Sequence, residues 1–297
     1  MTRSEPTSPM TRVRWWLAAT RPKTLVLSAF PTAAGIAWAA GEGSFDPARA
    51  VLTLVCAVLL QILANYVNEL GDYERGADTP ERLGPPRAVA AGAISPRAMR
   101  RAVIVLSAVI LALGLVLVAR VGWWLLVVGV SALALAWLYT SGWRPLAYIG
   151  LGEAVALVFF GPVPSLGAYA IERSTVAAEP LASGIAFGAL AAAVLGINNL
   201  RDIPLDRRAG KRTLAVRIGR RNATRLVQAL LAVPYLVAAF QSIEHPAISS
   251  TLVTLPIAWS VAMELPRAEG RAYNRLLART TLAAAAYSSV LIVAILV

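Results

Sequence analysis

Residues 102–119 read AVIVLSAVILALGLVLVA, a stretch in which serine is the only polar side chain. A helix needs about 20 consecutive apolar residues to cross the hydrocarbon core of a bilayer. Similar stretches recur along the chain, and together they give nine candidate spans: 24–41, 49–70, 102–119, 122–141, 149–171, 181–200, 223–243, 247–264 and 280–297. The pattern predicts an all-α integral membrane protein with about nine transmembrane helices.

The composition supports this class. The 297 residues are 58% hydrophobic and 15% charged, whereas soluble domains average about 25% charged residues. Nine spans leave no room for a separate soluble domain, so we predict a cytoplasmic N-terminal segment, 1–20, and a single transmembrane domain, 21–297. One cysteine, Cys56, excludes an intrachain disulfide framework and a zinc ribbon.

The charge is distributed unevenly between the two sides. The chain carries 28 Lys and Arg against 16 Asp and Glu, a net charge of +12. If the N-terminus is cytoplasmic, 25 of the 28 basic residues fall in cytoplasmic segments, mostly in the connections 71–101 and 201–222. This asymmetry follows the positive-inside rule. It indicates a multi-pass cell-membrane protein with membrane lipid, rather than nucleic acid, around it, and no obligate protein partner is evident.

Two polar motifs end predicted helices that are four spans apart. Asn68-x-x-x-Asp72 ends the second helix and Asn198-x-x-x-Asp202 ends the sixth. Both therefore reach the same side of the membrane, which predicts two four-helix pseudo-repeats followed by a ninth helix. Each motif is followed by an acid and then by bases: Asp78, Arg82 and Arg87 in the first, Asp206, Lys211 and Arg212 in the second.

Acidic groups at the ends of membrane helices usually mark a functional site. Carboxylate and amide oxygens without His or Cys suit a hard cation such as Mg²⁺, which completes its shell with water and phosphate oxygens. The two clusters are suited to a metal-bridged diphosphate, and nearby bases would neutralise its remaining charge. We expect Pro204 to end or kink its helix, so that Asp206 reaches the site from a turn.

These motifs resemble those of UbiA-type intramembrane prenyltransferases, and within them the 1,4-dihydroxy-2-naphthoate branch of menaquinone synthesis. The resemblance rests on QILANYVNELGD (61–72) with GAD (76–78) and ERLGPPR (81–87), on NNLRDIPLD (198–206) with GKRTLAVR (210–217), and on RPKTL (21–25), YTSGWRP (139–145) and GLG (150–152). It covers about residues 21–220. The last three predicted helices carry no distinguishing residues, and Glu69 and Glu153 replace the Asp that is common in the branch.

The resemblance implies Mg²⁺-dependent transfer of a polyprenyl group from its diphosphate to the naphthoate, with decarboxylation to a demethylmenaquinone, on the cytoplasmic side. It implies a role in catalysis for Asp72, Asp202, Asp206 and Lys23. The metal ligands would be Asn68, Asp72, Asp78, Asn198, Asp202 and Asp206, and the substrates would be bound by Lys23, Arg82, Arg87, Tyr139, Arg144 and Lys211.

Other functions are compatible with the same residues. Within the superfamily, the aromatic acceptor could instead be 4-hydroxybenzoate, haem or a chlorophyll precursor. The GPPR at 84–87 and the Asn-Asn pair at 198–199 favour the naphthoate. A cation-coupled secondary transporter is a different class; the position of the acids at helix ends and the parallel repeat speak against it.

Overall fold

The computed structural model describes residues 9–79 and 81–297, and the regular secondary structure of the described part is entirely helical. Its α-helices are α1 (Pro9–Ala19), α2 (Pro22–Gly41), α3 (Pro47–Glu74), α4 (Pro96–Val121), α5 (Trp124–Leu138), α6 (Gly152–Phe159), α7 (Pro162–Arg173), α8 (Ala178–Arg208), α9 (Leu214–Gln241), α10 (Leu255–Glu264) and α11 (Ala272–Leu296). Short 3₁₀ helices cover Leu146–Ile149, Pro246–Thr254 and Leu265–Arg267.

Local sequence signals set where several helices begin. Proline, which needs no backbone N–H in the first helical turn, occupies it in α2, α3, α4 and α7. The side chain of Asp46 accepts hydrogen bonds from the backbone N–H groups of Ala48 and Arg49 and so caps α3. Ser95 caps α4 in the same way through the N–H of Ala98.

Eight helical segments in the described part are long and apolar enough to cross a membrane: Pro22–Gly41, Pro47–Glu74, Pro96–Val121, Gly152–Arg173, Ala178–Arg208, Leu214–Gln241, Pro246–Arg267 and Ala272–Leu296. Helix α5 is apolar as well but has 15 residues, which at 1.5 Å per residue is shorter than a bilayer core. The prediction of an all-α membrane protein with many spans is confirmed.

The predicted span 149–171 corresponds to the candidate span Gly152–Arg173, which has a break between α6 and α7. The predicted connection 201–222 was wrong: it is mostly helical, because α8 extends to Arg208 and α9 starts at Leu214. Pro204 lies inside α8, so Asp206 is on the helix rather than in a turn. A proline costs one helical hydrogen bond, and in a packed membrane helix this loss is tolerated.

Glycines allow α8 to lie directly against the interrupted segment. A methyl group at Gly161 would lie 2.3 Å from the carbonyl oxygen of Gly184, and one at Gly188 would lie 2.0 Å from that of Leu157. Small residues at such crossings let two membrane helices approach until their backbones touch. Helix α8, which carries the second polar motif, is thereby held against α6 and α7.

We expect Gly188→Ala to destabilise the protein, because its Cβ would overlap a backbone atom that cannot rotate away. Overpacking costs about 1–3 kcal/mol, which corresponds to a drop of several degrees in Tm in detergent. The control is Gly114→Ala in α4, where a Cβ meets no atom within 4 Å. If Gly114→Ala lowers Tm as much as Gly188→Ala does, the close packing at Gly188 is not the cause of the destabilisation.

Candidate active site

The first polar motif lies at the end of α3. Asn68 and Asp72 are one helical turn apart on the same face, and Asp72 is only 4% exposed. Asp72 Oδ1 accepts hydrogen bonds from the Tyr148 hydroxyl at 3.0 Å and from Lys211 Nζ at 3.3 Å, and its Oδ2 lies 3.4 Å from Arg87 Nη2. This carboxylate is therefore held by donors from three separate segments.

The loop after α3 folds back over this helix end. Arg87 lies between three carboxylates, with nitrogen–oxygen distances of 3.4 Å to Glu69, 3.4 Å to Asp72 and 3.5 Å to Asp78. Asp78 Oδ1 also accepts from Arg82 Nη1 at 2.8 Å, while its buried Oδ2 has no hydrogen-bond partner. Burial raises the pKa of Asp78 to about 6, against the opposing effect of Arg82.

The second motif is organised around Arg201, which is buried in α8. Its Nε and Nη2 each donate to Asp202 at 2.7 Å, a bidentate pair, and Nη2 also donates to Asn198 Oδ1 at 2.7 Å. Its Nη1 donates to Asn274 Oδ1 in α11 at 2.8 Å. Asn274 in turn donates to the carbonyl oxygen of Leu83 at 2.8 Å, so the last helix ties the second motif to the loop of the first.

The segment after α8 brings the two motifs together. Lys211, which follows the second motif, pairs with Asp72 of the first, and its ammonium lies 5.0 Å from the centre of the Tyr148 ring. The backbone N–H of Arg212 donates to the carbonyl oxygen of Tyr148 at 3.1 Å. Asp206, 8% exposed, accepts from Thr213 at 3.4 Å. The helix ends that are 130 residues apart in the sequence thus share one site.

The site opens into a cavity of about 1280 Å³. Polar and basic side chains line the end near the motifs: Arg21, Lys23, Asn68, Arg82, Arg87, Tyr139, Asn198 and Arg201. Aliphatic side chains of α4, α5 and α7 line the remainder, among them Leu111, Leu115, Leu125 and Ile171. The cavity therefore combines a charged mouth with an apolar interior.

The structure gathers most of the residues predicted for the site. Asn68, Asn198, Tyr139, Lys23, Arg82 and Arg87 line the cavity. Asp72, Asp78 and Asp202 pair with arginines that line it, and Asp206 and Lys211 lie next to them. Arg144 is not brought in: its side chain is exposed on the turn after α5 and does not line the cavity.

The oxygen atoms of this site suit a hard divalent cation. The donors are carboxylates and amides with no His or Cys among them, the set that Mg²⁺ prefers. Asp78 also presents a buried oxygen with no hydrogen-bond partner in the described part of the chain, and such an atom is costly unless a donor or a cation reaches it. Asn68, Asp72, Asp78, Asn198, Asp202 and Asp206 thus fit a magnesium site.

Some site residues were missed from the sequence. Arg201 and Arg21 lie inside the sequence motifs given above. Their spacing does not reveal that Arg201 forms an ion pair with Asp202, or that Arg21 Nη2 is buried without a hydrogen-bond partner among the described residues. No motif marks Tyr148 or Asn274. Glu153, an unusual residue for its position, accepts from Asn199 at 2.9 Å.

Comparison with known proteins agrees with this geometry. Residues 28–294 match the UbiA prenyltransferase family model. The chain is 43% identical over 230 residues to the 1,4-dihydroxy-2-naphthoate octaprenyltransferase of Escherichia coli K12, covering 75% of this chain and 74% of that protein. It is 40% identical over 247 residues to the enzyme of the same name from Mycobacterium tuberculosis H37Rv, covering 83% and 84%.

Solved structures agree on the fold. A UbiA homologue from Archaeoglobus fulgidus bound to GPP and Mg²⁺ superposes with a TM-score of 0.65 at 18% identity, over 93% of this chain and 99% of that one. The resemblance inferred from the motifs is therefore confirmed, and the chain belongs to the UbiA prenyltransferase family.

Proposed function

We propose that this protein transfers a polyprenyl group from polyprenyl diphosphate to 1,4-dihydroxy-2-naphthoate, with loss of the ring carboxylate as CO₂, to give the prenylated naphthoquinol, the reduced form of a demethylmenaquinone. The observation that carries the proposal is the pairing of Lys211 from the second motif with Asp72 of the first, next to Arg87, which lines the charged mouth of an apolar cavity. The names of the relatives from E. coli and M. tuberculosis support the choice of acceptor.

The charged mouth would hold the diphosphate. Mg²⁺, held by the six carboxylate and amide residues given above, would draw negative charge off the leaving diphosphate. Lys23, Arg82, Arg87 and Lys211 would donate hydrogen bonds to the remaining phosphate oxygens, with the arginines suited to bidentate contact. The Mg²⁺ bound by the Archaeoglobus homologue supports this choice of metal.

The apolar interior would protect the reaction. The carbon–oxygen bond of the prenyl diphosphate breaks with its electron pair leaving on the diphosphate, and the ring attacks the resulting allylic cation to form the carbon–carbon bond. Aliphatic walls from α4, α5 and α7 bind the tail and exclude water, which would otherwise capture the cation. Tyr139, half-buried in the cavity wall, would stabilise the cation through its ring.

We also propose that α5 completes a ninth membrane crossing and that two four-helix repeats precede α11. In this arrangement the N-terminal segment 1–20 and the site lie on the cytoplasmic side of the cell membrane, and residues 21–297 form one domain. The support is the charge pattern, which places 25 of 28 basic residues on that side.

Membranes containing the protein should convert a polyprenyl diphosphate and 1,4-dihydroxy-2-naphthoate to the prenylated, decarboxylated product. We expect turnover to require Mg²⁺ and to stop with EDTA, because the buried carboxylates need a cation to accept the diphosphate. Product analysis by mass spectrometry measures this. If 4-hydroxybenzoate is prenylated and the naphthoate is not, the proposed acceptor is wrong. If the protein takes up a solute and prenylates no acceptor, the proposed reaction is wrong.

Asp72→Ala and Asp202→Ala should each lower kcat by at least about a hundredfold, since each removes a metal ligand and a partner of a buried base. Glu179→Gln is a matched control, because Glu179 is an acid in the first turn of α8, at the end of that helix opposite Asp202. Size-exclusion chromatography in detergent checks that each variant is folded and monodisperse. Near-normal turnover in either alanine variant would remove that residue from the site.

Arg82→Gln should raise KM for the polyprenyl diphosphate by about tenfold, because it removes one charge-assisted hydrogen bond to phosphate. Arg144→Gln removes the same charge from an exposed turn outside the cavity and should change KM by less than about twofold. Steady-state kinetics with varied diphosphate compares the two. A larger effect of Arg144→Gln would place Arg144 at the substrate instead.

A further inference from the structure

A row of polar side chains on α3 continues from the first motif into the cavity. Gln61, Asn65, Asn68 and Asp72 are spaced by four, three and four residues, which places them in one row along the helix. The first three line the cavity. At 1.5 Å per residue, Gln61 lies about 10 Å from Asn68 along the helix axis, on the apolar side.

The side-chain carbonyl oxygen of Gln61 has no hydrogen-bond partner among the residues that the structure describes. Gln61 is 8% exposed, and its Oε1 is buried without a hydrogen bond. Asn65, one turn away, differs: its Nδ2 donates to the carbonyl oxygen of Thr20 at 2.8 Å. An unpaired buried carbonyl costs about 1–3 kcal/mol, so Gln61 is suited to accept a hydrogen bond from something that enters the cavity.

The substrates of the proposed reaction differ in what they can donate. The prenyl tail is hydrocarbon and has no donor, and the diphosphate stays at the basic mouth. The aromatic acceptor carries hydroxyl groups and has to enter the cavity for its ring to contact the first carbon of the tail. Of the two substrates, only the acceptor can donate a hydrogen bond to Gln61 Oε1.

The position of the bases orients the acceptor. The hydrogen bond from Asn65 to Thr20 places the next residue, Arg21, at the level of Asn65, and Arg21 lines the cavity with a buried, unpaired Nη2. The ring carboxylate therefore faces this charged end. Gln61 lies about 6 Å deeper than Asn65, a separation comparable with that between two meta substituents of a ring. The 4-hydroxyl is meta to the carboxylate, whereas the 1-hydroxyl is adjacent to it, so the 4-hydroxyl is the group that would point towards Gln61.

We infer that Gln61 binds the acceptor by accepting a hydrogen bond from its 4-hydroxyl group, and so selects for a 1,4-dihydroxylated ring. This inference rests on the proposed function. Gln61 contributes to acceptor binding and not to diphosphate binding, because its distance from the motifs keeps it away from the phosphate oxygens.

The test replaces Gln61 by methionine, which has a similar volume and no amide. Gln61→Met should raise KM for 1,4-dihydroxy-2-naphthoate by about tenfold, the equivalent of one hydrogen bond, and leave KM for the prenyl diphosphate within about twofold. Thr53→Val is the matched control: Thr53 lies on the same helix, lines the same cavity and has a buried, unpaired hydroxyl, but is about 12 Å beyond Gln61. It should not change acceptor KM.

A second measurement starts from the wild-type protein alone, so its first result does not depend on how the variant folds. The wild-type protein should bind 1-hydroxy-2-naphthoate, which lacks the 4-hydroxyl, about tenfold more weakly than the dihydroxy compound, measured as competitive inhibition. Gln61→Met should bind the monohydroxy compound as the wild type does. Equal wild-type affinity for both compounds, or an unchanged KM for the acceptor in Gln61→Met, would contradict the role of Gln61 and leave the proposed function standing. A wild-type protein that prenylates no naphthoate would overturn the proposed function as well.

Discussion

The buried carboxylates at the two helix ends need cationic partners, because an ionised group out of water is costly without one. Asp72 and Asp202 are each less than one-tenth exposed. In this protein Arg87 and Lys211 meet Asp72, and Arg201 meets Asp202. The closure of the site, the folding of the loop after α3 and the junction between α8 and α9 all depend on this neutralisation.

A residue of the last helix, α11, also helps to hold the site in place. Arg201 is fixed by Asn274 of α11, and Asn274 also holds the loop at Leu83. The two motifs are therefore linked through a helix that contains neither of them. Since a guanidinium has five donors in a rigid planar arrangement, Arg201 can form a bidentate pair with Asp202 and still donate from its remaining N–H groups to Asn198 and Asn274.

Packing of small residues sets where these charges lie. Contacts between backbones at Gly161, Gly184 and Gly188 hold α8 against the interrupted pair α6 and α7. The other wall, from α4 and α5, makes no such contact around Gly114 and Gly129, where a methyl group would meet no atom within 4 Å. Tight packing on one side and free space on the other produce an apolar cavity that begins at the charged mouth.

Local sequence patterns were enough to predict the class of protein, the position of most spans and the chemistry of the donor set. Hydropathy is a property of contiguous residues, and Asn68 with Asp72, like Asn198 with Asp202, share a face by helical spacing alone. Long-range packing, in contrast, brings Lys211 to Asp72, keeps Arg144 outside the cavity and leaves Gln61 Oε1 without a hydrogen-bond partner among the described residues. These depend on contacts such as Asn274 with Leu83, 191 residues apart, which no local pattern encodes.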